Sequence, residues 1–85
     1  MKSAYELAME RLGGPARQLS EDQKAAIAEI EKRRKAKIAE AELARDRRLA
    51  AKPEEAHQIQ QEFRIETASI EERAERDKQK IRTAG

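Results

Sequence analysis

Ile27, Ile38 and Leu49 recur every eleven residues, and Ile59, Ile70 and Ile81 repeat that interval downstream. Eleven residues make three turns of a helix wound at about 3.67 residues per turn, so each triplet draws one apolar line along a nearly straight or slightly right-handed helix. Two such lines in one short chain, parted by a proline, predict an antiparallel helical hairpin. In a hairpin the position numbers of facing residues have a constant total. Leu49 with Ile59, Ile38 with Ile70, and Ile27 with Ile81 all give 108, and so does the off-stripe pair Leu43 and Ile65. The same register sets Arg45 opposite Phe63 and Arg34 opposite Ala74, where a long cationic stem can lie along an aromatic or a small neighbour. The expected seam is Ile27, Ile30, Ile38, Leu49, Ile59, Phe63, Ile70 and Ile81.

Charge follows the same plan. Residues 32–48 hold eight Lys or Arg against three acids, and residues 54–77 hold eight acids against three Arg. Antiparallel folding lays the basic stretch on the acidic one, whereas parallel self-pairing would set like on like. Arg33 with Glu75 and Lys37 with Glu71 are the expected cross-helix pairs. A strand-containing globular core is excluded by a charged fraction of 42% beside an aromatic fraction of 2%. Disorder is the competing reading of such a composition, but disorder does not require apolar residues to keep a period.

With 85 residues the chain is at most one small domain, spanning 1–85. Ser3 and Glu6 have capping-box spacing, and Tyr5, Ala8, Met9 and Leu12 share one face, so a short helix is expected over 3–12. Gly13-Gly14-Pro15 stops it, and 13–19 is a linker. Ser20 reads as the next N-cap, with Gln23 placed to reach back to it and Glu21 and Asp22 on the favoured end of the helix dipole. No Gly or Pro interrupts the sequence from there to Ala51, so a long helix should cover 20–51, about 45 Å. Lys52-Pro53 ends it, because a residue before proline is pushed out of the α region. A turn at 52–54 leads to a third helix over 54–82, with Pro53 suited to its first turn. The fold class is therefore all-α: a short N-terminal helix, then a long antiparallel two-helix coiled-coil hairpin.

A lone two-helix seam leaves its flanks wet, so the hairpin alone is marginal. Cover is expected from the N-terminal helix, folded over the open end near Ile27 and Ile81, or from a second hairpin completing a four-helix bundle. Tyr5, Met9 and Leu12, together with Leu43 and Ile65, are the candidate contacts for a protein partner or a homodimer.

Chemistry is sparse. His57 is the single histidine, beside Glu54 and Glu55, and there is no cysteine, so neither a metal site nor a thiol nucleophile is expected. No glycine-rich phosphate loop is present and no convergent pocket is implied, so no catalytic residue, no cofactor and no small-molecule substrate is expected. Glu6, Glu10 and Arg11 interrupt the N-terminal stretch where a secretory signal needs an apolar run, and no run approaches the length of a membrane span. A cytoplasmic chain with no membrane contact is the resulting expectation. The runs Lys32-Arg33-Arg34-Lys35 and Arg45-Asp46-Arg47-Arg48 invite a nucleic-acid reading, which the acidic third helix and the lack of stacking aromatics disfavour.

K-S-A-Y-E-L-A-M-E-R-L at 2–12, followed by L-S-E-D-Q-K and A-x-I-A-E-I-E, resembles a group of small uncharacterised bacterial proteins that have a short N-terminal helix and a coiled-coil hairpin. The likeness covers most of the chain, and residues 2–12 are its specific part. It implies the fold and carries no activity. The expected function is a structural or protein-interaction module; the alternatives are a basic helical protein associating with nucleic acid or the ribosome, and a small holdase-type chaperone.

Overall fold

The computed structural model describes Ala4 and residues 19–84. Apart from Ala4, the helix expected over 3–12, with Tyr5, Met9 and Leu12, lies outside the described residues, as does nearly all of the linker. Within them the chain forms two helices and no strand: α1 (Glu21–Ala51) and α2 (Ala56–Ala84), joined by Lys52 and a single 3₁₀ turn at Pro53–Glu55. The two helices pack side by side as an antiparallel hairpin.

Both ends of α1 are specified locally. The Ser20 hydroxyl accepts from the Gln23 amide at 3.1 Å while the Gln23 side chain accepts from the Ser20 amide at 2.8 Å, so two donors that no helix can satisfy internally are satisfied reciprocally. At the other end Lys52 leaves the α region, with φ −140° and ψ 71°, as a residue before proline must. Its amide still donates to the Arg48 carbonyl. Pro53 then opens the 3₁₀ turn, closed by the Glu55 amide on the Lys52 carbonyl at 3.0 Å. The third helix expected from 54 thus begins as a 3₁₀ turn and becomes α-helical at Ala56, because reversing the chain in so few residues needs the tighter winding. It also runs to Ala84, two residues beyond the expected end.

The register is the one the isoleucines imply. Arg45 stands over Phe63, a pair totalling 108, and Glu31 with Lys78, Arg34 with Glu71, Arg48 with Glu62 and Gln23 with Ile81 all fall within four of that total. Along the seam only Ile59 is buried among the expected residues, at 1% exposure; Ile27, Ile30, Ile38, Leu49, Phe63, Ile70 and Ile81 are half-buried. Ile59 differs because it sits under the tip, where Arg48, Ala51, Lys52 and Glu55 close over it. The other two buried residues are Ala41 at 4% and Ala74 at 7%. A methyl group is shaded by neighbours that cannot fully shade an isoleucine, so the small seam residues end up deeper than the large ones that define the pattern.

Candidate interaction surface

The hairpin has two broad faces, and side-chain charge divides them. On one, positions 71, 75 and 78 of α2, spaced as neighbours along a helix, meet Glu31 and Arg34 of α1. The Arg34 guanidinium grips Glu31 through two nitrogens at 2.9 and 3.2 Å and extends its third to Glu71 at 2.8 Å. Lys78 pairs with Glu31 from across the seam and lies 4.0 Å from Glu75, which also accepts from Arg82 at 3.2 Å. Arg34 and Lys78 are largely shielded from water, so this bidentate, multi-member network is better placed to hold its geometry than an isolated surface pair.

Two of the expected pairs do not form. Arg33 turns along its own helix to Glu29, at 3.4 Å, and Lys37 has no carboxylate partner among the described residues. The reason is angular: Arg34, one residue further round α1, occupies Glu71 first, and Glu75 is drawn to Lys78 and Arg82 on its own helix. Neutralisation of α1 by α2 is accordingly narrower than total charge suggests. Arg34 and Arg48 are the only α1 cations paired across the seam among the described residues.

The opposite face carries a trough. Arg33, Lys37, Glu40 and Ala44 follow one another along α1, and Glu66, Ser69, Arg73 and Asp77 along α2, each set on one side of its helix. At the open-end half the trough is a cleft of about 140 Å³ floored by Ile30, Ile70 and Ala74 and walled by Arg33, Arg34, Lys37 and Arg73. Toward the tip it continues over Ala41, Ala44 and Ile70, between Glu40 and Glu66, with Ile65 on its rim. Lys37, Glu40, Glu66 and Arg73 make no ion pair with one another or with any other described residue.

Leu43 and Ile65 are both exposed, at 57% and 71%, as an off-seam position requires. They do not form one patch. Leu43 is two residues past the buried Ala41, about 200° round α1, and Ile65 is nine before the buried Ala74, about 180° round α2, so they point outward from opposite sides of the hairpin. Only Ile65 borders the trough.

Near the tip, Arg48 donates to Glu62 at 2.5 Å and Gln58 donates to the same carboxylate at 3.3 Å. The Arg48 hydrogen bond, then that of Gln58, then the Arg48 charge hold the Glu62 carboxyl below its usual value. It is therefore kept ionised, the opposite of what a proton donor at neutral pH requires. His57 is exposed, and among the described residues no three His, Asp or Glu side chains converge where a metal ion could sit. No described helix is long and apolar enough to cross a membrane.

One contact was not readable from periodicity. The Gln23 amide, while its oxygen completes the cap, donates through its nitrogen to the Ile81 carbonyl at 2.9 Å. Ile81 lies in the last turn of α2, where carbonyls have no helical donor, so one side chain finishes the start of α1 and the end of α2. Only the register combined with the capping box could have signalled it.

Among the described residues, fold and surfaces together define a two-helix hairpin with one internally paired face and one trough that no described residue fills. No family model, curated protein or solved structure matches the chain.

Proposed function

We propose that this chain is a non-catalytic protein-interaction module that presents the trough between α1 and α2 to a protein. The observation that carries the reading is the contrast between the faces: Glu31, Arg34, Glu71, Glu75, Lys78 and Arg82 satisfy one another, while Lys37, Glu40, Glu66 and Arg73 line an apolar floor without partners among the described residues. Unpaired charge around a partly apolar groove is a surface suited to a complementary one. The test is face-specific photo-cross-linking of the full chain in its native cell. A photoreactive residue at position 69, in the trough, should give discrete protein adducts, and one at position 64, on the side of α2 that carries Glu75, should not. Adducts at neither site, or equally at both, would overturn the reading.

A second reading, nucleic-acid association, is favoured by one specific observation. Lys32, Lys35, Lys37 and Arg47 have no carboxylate partner among the described residues, so α2 does not cancel the basic run as fully as composition implies. Retarded migration of RNA or duplex DNA at low salt, lost steeply as salt rises, is the expected sign of phosphate contacts. No retardation at low salt would end it.

A further inference from the structure

Lys37, Glu40, Glu66 and Arg73, four of the five trough charges with no ion pair among the described residues, are arranged so that a second copy of the same chain answers each of them, Asp77 being the exception. Lys37 and Glu40 straddle the midpoint between Ile38 and Ala39 on α1; Arg73 and Glu66 straddle the midpoint between Ser69 and Ile70 on α2. Those two midpoints total 108. They therefore stand at one level of the hairpin, the register that Arg45 over Phe63 displays. A two-fold axis crossing both helices at that level, perpendicular to them and lying in the plane of the trough, inverts position along each helix. It lays α1 on α1 of the second copy and α2 on α2. Lys37 then meets Glu40 of the other copy, and Arg73 meets its Glu66, each contact occurring twice.

Ile65, 71% exposed on the rim of the tip half, is carried to the level of Ala74 in the other copy. There the open-end cleft of about 140 Å³ is floored by Ile30, Ile70 and Ala74. Ile65 shares that level but points out from the hairpin, about 180° round α2 from Ala74, so the self-complementarity an isologous interface demands is carried by the charges. The other two-fold available to face-to-face hairpins, parallel to the helices, keeps every residue at its own level. It would bring Lys37 toward Arg73 and Glu40 toward Glu66, like against like, which opposes that arrangement.

We infer that two copies pair trough to trough about this perpendicular two-fold, forming an antiparallel four-helix bundle held by Lys37–Glu40 and Arg73–Glu66 pairs. The inference rests on the proposal that the trough is a protein-binding surface, and it names the occupant.

The experiment is analytical ultracentrifugation of the full chain and of charge-reversed variants, all at exposed positions, with circular dichroism to establish that each is helical. Wild type should sediment as a dimer whose dissociation constant weakens as salt rises. Lys37→Glu with Arg73→Glu, and separately Glu40→Lys with Glu66→Lys, should each weaken self-association by ~100-fold. Mixed in equal amounts, the two variants should form a heterodimer, and one chain carrying all four reversals should dimerise again. A wild-type monomer at high concentration overturns the pairing, as do reversed variants that dimerise like wild type or fail to recover on mixing. Adducts at position 69 to a different protein, with the chain itself monomeric, would overturn the self-pairing and leave the interaction reading standing; a dimer with no such adduct would do the reverse for any other partner.

Discussion

The Arg45 guanidinium lies over the ring of Phe63, its central carbon 4.3 Å from the ring centroid. The two residues are the α1 and α2 members of one level of the hairpin, and Asp46 holds the same guanidinium from its rim at 3.0 Å. Stem and ring cover seam that an aliphatic pair of the same length would leave open to water. A double-mutant cycle with Arg45→Ala and Phe63→Ala, read by thermal or urea melting, should return a coupling of about 0.5–1 kcal/mol. Additive effects would mean that the stacking contributes nothing beyond area.

Ile59→Ala should be the most damaging single truncation in the hairpin. It removes three carbons from the one large side chain sealed from solvent among the described residues, so a loss of about 2–5 kcal/mol is expected in denaturant melts. Leu43→Ala, at an exposed position, should stay within about 0.5 kcal/mol of wild type and serves as the control.

Ser20→Ala and Gln23→Ala separate two jobs at the open end. The first loses a cap, about 1 kcal/mol, while the second loses the reciprocal bond and the tie to the Ile81 carbonyl. Hydrogen exchange should therefore show Gln23→Ala loosening the last turn of α2 as well as the first turn of α1, and Ser20→Ala loosening α1 alone.

Glu62 gives the tip a pH dependence of known sign. Its carboxyl is held below its usual value chiefly by the Arg48 hydrogen bond, so it favours the folded state above the unfolded carboxylate pKa. That contribution fades as pH falls toward and through the lowered folded value. Carbon-detected NMR titration should place Glu62 below the ordinary glutamate value, and Arg48→Gln should bring it back up. An unchanged midpoint in Arg48→Gln would show that Arg48 is not the cause.

Ile27→Cys combined with Ile81→Cys tests the register where the helices are furthest from their turn. Oxidation should give an intramolecular disulfide, identified by mass spectrometry at high dilution, since a chain without cysteine offers no other thiol. Failure to form it would undo the shared total of 108.

Much of this fold was legible because it is periodic. The eleven-residue spacing, Ser20 with Gln23, and Pro53 are local or one-dimensional signals, and each marks a feature the hairpin has. Ala41 and Ala74 were harder to read as core, because burial of a methyl group depends on which long neighbours lean over it. The ion pairs were misread for a related reason. Register gives the level at which two residues meet but not their angle around the helix, and it is angle that awards Glu71 to Arg34 rather than to Lys37. The same angular blindness joined Leu43 and Ile65, which share a level but face apart. Recognising the trough required both coordinates.

Because Lys52 and Pro53–Glu55 reverse the chain so abruptly, the loop closed by each contact lengthens steadily away from the tip. Arg48 and Glu62 are 14 residues apart in sequence, Arg34 and Glu71 are 37, and Gln23 and Ile81 are 58. Closing the near pairs first shortens the loop left for every later one, so folding should propagate from the proline outward like a zip, in a class of low contact order that folds in microseconds to milliseconds. Unfolding runs backward along the same track. The Gln23 to Ile81 clasp is then the last of these three bonds made and the first released, and it sets how often α1 and α2 part at the end away from the turn.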